Sequence, residues 1–245
     1  MLGCYALKGG VGKTSAAVNL AWLAAEEGRK TLLWDLDPQA AATFLLNAKP
    51  KVKGGVRKLL QGESDPADAV KSTAYPGLEL LPSQVLYDSA DIDLDASKKS
   101  EQRVARVLRD LSGYDLVVID CPPGLSLLSA NIVRACDLLL VPIIPSPLSL
   151  RTLDQVVDFR ESIPEADTSV LAFLSMVDSR RALHRQVLEL IGDKYSQVAK
   201  TAIPMSATVE RMGQRRAPLV AWASGTKVAD AYRELWGEVA RALDG

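Results

Sequence analysis

The chain has 245 residues, a formal net charge of −1, 48% hydrophobic and 24% charged residues, and a mean hydropathy of +0.06. This balance excludes a disordered chain and supplies enough apolar residues to bury a central sheet with its covering helices. Uninterrupted apolar runs of about 18 residues, which a transmembrane helix needs, do not occur. The N-terminus enters an apolar run at once, so we expect a cytoplasmic protein with neither a signal peptide nor an N-terminal helix-turn-helix extension.

Apolar runs that favour strands alternate with segments of helical periodicity along the chain. Strands are predicted near residues 2–7, 31–35, 78–81, 115–120, 137–142 and 169–175, with a short seventh near 199–203. Helices are predicted over 14–27, 55–60, 100–112, 126–135, 149–162, 183–195 and 226–243, and the polar stretch 88–99 is expected to be a loop. The alternation predicts an α/β fold with a doubly wound, mostly parallel central sheet flanked by helices, built as a single domain over residues 1–245.

The segment from Lys8 to Ser15 reads Lys-Gly-Gly-Val-Gly-Lys-Thr-Ser and joins the first predicted strand to the first predicted helix. A glycine-rich turn in this position lets backbone N–H groups point at phosphate oxygens, which also face the positive end of the helix dipole. We expect Lys13 to reach the β- and γ-phosphates of a nucleotide and Thr14 to bind Mg²⁺ directly. The segment therefore predicts a phosphate-binding loop.

This loop departs from the common phosphate-loop pattern, which has glycine at the position of Leu7 and does not require the additional Lys8. The variant resembles the deviant Walker A loop of the ParA/MinD family of P-loop ATPases. The resemblance implies ATP and Mg²⁺ as cofactors, with Lys8 reaching across a dimer interface to the partner's nucleotide while Lys13 acts within its own subunit. The loop residues implied to bind ATP are Lys8, Gly9, Gly10, Val11, Gly12, Lys13, Thr14 and Ser15.

Two carboxylates end the second predicted strand, in the sequence Asp35-Leu36-Asp37-Pro38-Gln39. Open α/β sheets bind their ligands at the carboxyl ends of the strands, so both carboxylates are candidates for the nucleotide site. The segment resembles the second motif of the same family, D-x-D-P-Q. By that resemblance Asp35 lies near the Mg²⁺ shell, and Asp37 is the catalytic residue that orients the attacking water.

A third acidic residue, Asp120, ends a run of four apolar residues that predicts a strand buried on both faces. It matches a Walker B aspartate, whose implied role is to hold Mg²⁺ through a coordinated water. Two prolines and Gly124 follow, where the family usually shows serine after the prolines. We expect the glycine to make this switch-like loop more flexible than usual.

The resemblance extends toward the C-terminus, where Ile203-Pro204 matches a family segment that helps to enclose the adenine. Pro204 and Met205 are therefore candidate base contacts. The usual asparagine after the sixth strand is replaced by Ser175. A serine hydroxyl can still donate or accept a hydrogen bond at that position.

Positive charge is concentrated between residues 180 and 216, where eight lysines and arginines face three acids. In a ParA-like protein such a region resembles the surface that binds DNA non-specifically through phosphate contacts. The alternative is that these basic residues lie on two solvated helical faces and form no common surface, because residues distant in sequence need not converge in space. The candidate DNA contacts are Arg180, Arg181, Arg185, Lys200, Arg211, Arg215 and Arg216.

Several other residues and segments receive structural interpretations. The C-terminal apolar stripe of residues 228–243 is expected to pack against the core, and no membrane partner is expected. His184 is expected on a helix surface, with no metal ligands beside it. The three cysteines lack a C-x-x-C spacing and are expected to be small buried residues: Cys4, Cys121 and Cys136.

The resemblance implies a slow ATPase that forms an ATP-dependent sandwich homodimer, binds DNA non-specifically and associates with the nucleoid in its ATP-bound state. A ParB-like or other adaptor would stimulate hydrolysis, so that the cycle partitions or positions a plasmid, a chromosome region or a protein cargo. Two alternatives remain. One is a cargo-specific or MinD-like regulatory ATPase that acts on a protein scaffold or membrane, and the other is a metabolic phosphoryl- or amido-transfer enzyme on the same fold.

Overall fold

A seven-stranded sheet forms the centre of the computed structural model, which describes residues 1–52, 55–83, 102–164 and 166–244. The strand order is β3-β4-β2-β5-β1-β6-β7, and every neighbouring pair is parallel except β3 and β4. This arrangement confirms the predicted fold class. The strands are β1 (Leu2–Cys4), β2 (Thr31–Asp35), β3 (Lys71–Ser72), β4 (Leu78–Leu81), β5 (Leu116–Asp120), β6 (Leu138–Ile143) and β7 (Ser169–Leu174).

Helices cover both faces of the sheet, and serine side chains begin several of them. Ser126, Ser146 and Ser206 each accept a hydrogen bond from a backbone N–H in the first turn of the helix that follows. The described helices are α1 (Lys13–Glu26), α2 (Ala41–Leu45), α3 (Gly55–Gln61), α4 (Arg103–Asp110), α5 (Leu127–Ala135), α6 (Pro147–Glu161), α7 (Ala182–Lys194), α8 (Ala207–Arg215), α9 (Leu219–Trp222) and α10 (Lys227–Asp244), with a 3₁₀ turn at Pro66–Ala69.

Alternate side chains of the strands feed two apolar layers on opposite faces of the sheet. In β2, Leu33 packs into the layer formed with α1 and α10, whereas Leu32 and Trp34 pack into the layer formed with α4, α5 and α6. All three side chains are fully buried. Burial on both faces explains why the strand sequences are continuous apolar runs, and it fixes the strand ends where the acidic residues lie.

The C-terminal helix α10 packs its apolar stripe against α1 and the sheet, as predicted. Tyr232, Leu235 and Trp236 are at most 2% exposed and belong to the same apolar layer as α1. None of the described helices is both long enough and apolar enough to cross a membrane. The three cysteines are also buried, as expected.

The fold differs from the sequence predictions in several places. Residues 199–203 form no regular strand; they run beside β7 and donate only spaced backbone hydrogen bonds to Ala172 and Leu174. The two-residue strand β3 and the helices α2, α8 and α9 were not predicted. His184 is 2% exposed because its Nδ1 turns inward to accept the Asp178 N–H at 3.0 Å, so the expectation of a surface histidine is wrong. The expected loop at 88–99 lies outside the described residues.

Candidate nucleotide-binding site

The loop between β1 and α1 adopts a backbone that requires glycine at two positions. Gly10 has φ +75° and Gly12 has φ +100°, where side chains with a Cβ are strained. Gly12 is also the N-cap residue immediately before α1, and its carbonyl accepts the N–H of Ala16. The free N–H groups and positive dipole end of a fourteen-residue helix therefore face the space above the loop.

Ser175 lies against this loop and limits the size of residue 12. A Cβ placed on Gly12 would stand 2.7 Å from the Ser175 Oγ, closer than side-chain atoms pack in proteins. The Ser175 backbone is fixed by its N–H, which donates to Ile143 at 2.8 Å. The serine that replaces the expected asparagine thus packs directly on the phosphate loop.

Lys13 and Asp37 form an ion pair beneath the loop. The Lys13 Nζ lies 3.3 Å from the Asp37 Oδ2, and each residue is only 6% exposed. Asp37 Oδ1 accepts the Gln39 N–H, which holds the turn after β2. The two residues that the sequence analysis assigned to catalysis within one subunit are therefore in contact.

Asp35 organises the segment that follows β2. Its Oδ2 accepts both the N–H and the hydroxyl of Thr43 at 2.7 Å, and its Oδ1 accepts the Asp37 N–H at 3.2 Å. Burial raises the pKa of Asp35 to about 6, although these hydrogen bonds lower it. Thr43 in turn accepts the Ser83 N–H, and the Ser83 hydroxyl donates to the Asp37 carbonyl. Neither Thr43 nor Ser83 carries a motif that would have identified it from sequence.

Asp120 has a different environment, although it pairs with Asp35 in the β2–β5 register. It is fully buried, and neither carboxylate oxygen has a hydrogen-bond partner within the part of the chain that the structure describes. Burial raises its pKa to about 7, and the nearby Lys13 and Thr14 act in the opposite direction. A buried carboxylate without a partner is costly, so it marks a place for a cation.

The donors at this place suit Mg²⁺. The described residues contain no cluster of three or more His, Cys, Asp or Glu that would hold a metal alone. Mg²⁺ commonly binds through one or two protein oxygens together with substrate phosphates and water. The Asp120 carboxylate and the Thr14 hydroxyl beside the phosphate loop provide that kind of oxygen set.

The turn after Asp120 is held by hydrogen bonds at Gly124. Its N–H donates to Ala6, and its carbonyl accepts the Tyr5 hydroxyl at 2.9 Å and the Ser129 hydroxyl at 2.8 Å. Gly124 has φ +96°, which a serine could adopt only with strain. Glycine is therefore suited to the positive φ of this turn. The three hydrogen bonds at Gly124 hold the turn in place and give no support to the expected extra flexibility.

A small cavity of about 120 Å³ opens beside the phosphate loop and brings distant parts of the sequence together. Gly12 and Ser15 line one side, and Pro204 and Met205 line the other. Met205 is positioned by its N–H, which donates to the Val177 carbonyl at 2.9 Å. The predicted base contacts therefore lie next to the predicted phosphate contacts. Glu210, which the sequence analysis missed, adds a carboxylate to the lining.

Lys8 lies at the exposed rim of the loop, in contrast to the buried Lys13. It borders a shallow recess of about 20 Å³ with Val11 and Thr152. The structure gives its ammonium group no ion pair with any described residue. The two lysines of the loop therefore differ, because Lys13 is buried and paired whereas Lys8 is exposed to solvent.

The structure separates the basic residues of the 180–216 region into groups with different neighbours. Arg180 pairs with Asp178 at 2.9 Å and lowers the pKa of that carboxyl to about 2. Arg215 stacks over the Trp222 ring at 4.4 Å, and Arg216 donates to the Phe44 carbonyl at 3.1 Å. The remaining candidates are exposed: Arg181, Arg185, Lys200 and Arg211. The prediction that these residues share one DNA surface remains a prediction.

Comparison with known proteins gives the family. The profile of the AAA_31 family, described as an AAA domain, matches residues 2–173. The sporulation initiation inhibitor protein Soj of Bacillus subtilis is 32% identical over 95% of both chains. The chromosome partitioning protein ParA of Caulobacter vibrioides is 30% identical over 95% of this chain and 90% of its own.

A solved structure gives a similar result at the level of the fold. Cobyrinic acid a,c-diamide synthase from Mycobacterium smegmatis, crystallised with an ATP analogue and magnesium, superposes with a TM-score of 0.83. It is 30% identical, and the match covers 100% of this chain and 95% of that one. The phosphate loop, the three strand-end carboxylates and these matches together show that the chain belongs to the ParA/MinD family of AAA-domain P-loop ATPases.

Proposed function

We propose that this protein is a ParA-like ATPase that closes as an ATP-dependent homodimer, binds DNA non-specifically and positions a cargo through adaptor-stimulated hydrolysis. The observation that carries the proposal is the pair of lysines on one loop. Lys13 is buried against Asp37, whereas Lys8 is exposed and has no ion pair among the described residues. The partitioning proteins among the relatives favour a DNA-linked cargo.

ATP would be held by the loop residues and the adjoining cavity. Lys13 and the N–H groups at the start of α1 would bind the phosphates, and Pro204 and Met205 would border the base. Asp120 and Thr14 would hold Mg²⁺. The bound ion supplies charge neutralisation on the phosphates. Asp37 would orient the attacking water, since phosphoryl transfer depends on positioning and charge stabilisation.

Dimerisation would bring Lys8 to the nucleotide of a second copy. The loop offers space for that approach, because no atom lies within 4 Å of a Cβ built on Gly9 or Gly10. A cation supplied in trans stabilises the charge that develops during transfer only when the dimer is closed. The basal rate is therefore expected to be slow, and an adaptor that improves closure would raise it.

DNA binding would follow closure and tie the ATP-bound protein to the nucleoid within the cytoplasm. Contacts from lysine and arginine to backbone phosphates carry no sequence information and weaken as salt increases. Arg181, Lys200 and Arg211 are the exposed candidates whose side chains form no hydrogen bond or ion pair with the residues that the structure describes. Hydrolysis would open the dimer and release the DNA, so the nucleotide would time the cycle.

The test is binding to random-sequence duplex DNA with no nucleotide, with ADP and with ATP and Mg²⁺, each at two salt concentrations. Wild type is compared with Lys8→Ala, Asp37→Asn and a control, Lys58→Ala, which removes an exposed lysine from α3. We expect ATP-dependent, salt-sensitive binding that Lys8→Ala abolishes and Asp37→Asn prolongs, with the control unchanged. Equal binding in all nucleotide states, or none at low salt, would rule out the proposal.

A metabolic enzyme is the second candidate, because the M. smegmatis cobyrinic acid a,c-diamide synthase matches at 30% identity over the whole chain. Amido transfer requires a carboxylate acceptor and an ammonia source besides ATP. ATP consumption that depends on such a small acceptor, and not on DNA or a second protein, would favour this candidate. A regulatory ATPase acting on a protein scaffold or membrane would show ATP-dependent dimerisation without DNA binding.

A further inference from the structure

A second cavity, of about 610 Å³, lies at the edge of the sheet between the end of α2 and strand β3. None of its lining residues is acidic, and three of them are lysines. The polar residues around it all carry hydrogen-bond donors, although the Thr73 hydroxyl already donates within the chain: Asn47, Lys49, Lys51, Lys71, Ser72 and Thr73. We call these six residues the lysine cavity.

The side chains of the three lysines form no ion pair that would stabilise the described part of the fold. Lys49, Lys51 and Lys71 are exposed and form no ion pair with any residue that the structure describes. They are not needed to cap α2, because backbone N–H groups that follow the helix already donate to its last carbonyls. Asn47 donates to Phe44, and Ala48 donates to Thr43, each at 3.0 Å.

The lysine cavity lies away from the nucleotide site. Its Thr73 hydroxyl donates to the Leu78 carbonyl at 2.7 Å, at the amino end of β4. The lysine cavity follows the β3 side of the sheet, where Lys71 lies opposite Leu80, and its lining includes no residue of the phosphate loop and none of the three strand-end carboxylates. A ligand in the lysine cavity would therefore contact none of the residues assigned to the nucleotide.

A single backbone oxygen joins the lysine cavity to the basic end of α8. The Phe44 carbonyl accepts the Asn47 N–H at 3.0 Å and the Arg216 Nε at 3.1 Å. The Arg216 guanidinium also stacks over the Phe44 ring at 4.5 Å. Arg216 thus lies beside the lysine cavity, although the two are about 170 residues apart in sequence.

We propose that the lysine cavity and Arg216 form one surface that binds the phosphodiester backbone of duplex DNA. Lysine ammonium groups and small polar side chains can donate hydrogen bonds to phosphate oxygens. Four positive groups with no acidic residue among them complement the regularly spaced negative charges of the DNA backbone. The proposal rests on the proposed DNA-binding function and assigns it a surface that the basic 180–216 segment alone does not contain.

The test is the salt dependence of DNA binding in the presence of ATP and Mg²⁺. The triple variant K49A/K51A/K71A is compared with K58A/R109A/K227A, which removes three exposed cations from α3, α4 and α10. Each phosphate contact contributes about 0.9 to the slope of log affinity against log salt, so the cavity variant should lose about 2 to 3 of slope. Affinity at 0.1 M salt should fall at least about tenfold. The control triple should keep the wild-type slope.

The outcomes separate the two proposals. Wild type that binds no DNA in any nucleotide state overturns the proposed function together with this surface. If wild type binds and R180A/R181A/R185A abolishes binding while the cavity triple behaves like its control, the function stands and the cavity assignment is wrong. ATP hydrolysis without DNA and the melting temperature of the cavity triple are expected to match wild type, which excludes misfolding as the cause of any loss.

Discussion

Three glycines of the phosphate loop differ in what an added methyl group would meet, so alanine substitutions separate two costs. A Cβ on Gly9 meets no atom within 4 Å, and its φ lies outside the left-handed region. Gly10 also has open space but has φ +75°. Gly12 combines φ +100° with a Cβ position 2.7 Å from the Ser175 Oγ. Alanine should therefore be tolerated at Gly9, should strain the backbone at Gly10, and should both strain the backbone and clash with Ser175 at Gly12.

The magnitudes follow from these geometries. Gly9→Ala should change the free energy of unfolding by no more than about 0.5 kcal/mol. Gly10→Ala should cost about 1 to 2 kcal/mol, the penalty for a non-glycine residue in the left-handed region. Gly12→Ala should cost about 2 to 5 kcal/mol, because overpacking adds about 1 to 3 kcal/mol to the backbone strain.

The assay is urea unfolding without nucleotide, analysed by linear extrapolation. Ser175→Ala provides the matched background, since it removes the Oγ and leaves the Ser175 Cβ at an ordinary 3.9 Å from the added methyl group. In that background Gly12→Ala should cost only the backbone part, about 1 to 2 kcal/mol. An equal cost of Gly12→Ala in both backgrounds would show that Ser175 does not limit the loop, and a neutral Gly10→Ala would contradict the strain argument.

Substitutions at three further residues test contacts around the sheet. Asn19→Ala should destabilise the protein by about 2 to 3 kcal/mol in urea unfolding, because the buried Asn19 Oδ1 is the acceptor for the Val220 N–H at 3.1 Å; a loss under about 0.5 kcal/mol would contradict this. Thr43→Val should cost about 1 to 3 kcal/mol by leaving the buried Ser83 N–H without an acceptor, and Thr43→Ser should restore most of it. Burial acts to raise the pKa of Glu238, but hydrogen bonds from the loop it anchors lower it below 4.5, so Glu238 stabilises the fold above pH 4.5 and less as pH falls through the folded value. The stability gap between wild type and Glu238→Gln should therefore shrink between pH 7 and pH 3, and a constant gap would refute the assignment.

The strands and the acidic strand ends were predictable because burial on both faces leaves continuous apolar runs. Asp35 and Asp120 end β2 and β5 as expected, and the sheet register places them side by side. The short helix α2 was not predictable, because five residues span little more than one turn and show no periodicity. Helix α8 has one buried residue, Met212, so its sequence shows no apolar periodicity that would predict a helix.

The errors concern contacts made over long sequence distances. Residues 199–203 have a strand-like composition, but Glu238 accepts the Thr201 N–H at 2.8 Å and removes it from any ladder. His184 lies at the start of α7, and only the fold shows that the Asp178 N–H donates to its ring. The lysine cavity joins residues that follow α2 with residues of β3 and lies beside Arg216, and no local sequence pattern predicts this grouping.

In the proposed function a nucleotide phosphate would replace Asp37 as the partner of Lys13, because the two residues are already paired and each is only 6% exposed. Breaking such a pair without replacement leaves an uncompensated buried charge, which costs about 3 to 5 kcal/mol. A phosphate that brings its own negative charge to the ammonium would avoid that cost, whereas an uncharged nucleoside offers no replacement for Asp37. In the proposed mechanism the same exchange would release the Asp37 carboxylate for a water molecule when phosphates occupy the loop, so nucleotide loading would precede hydrolysis.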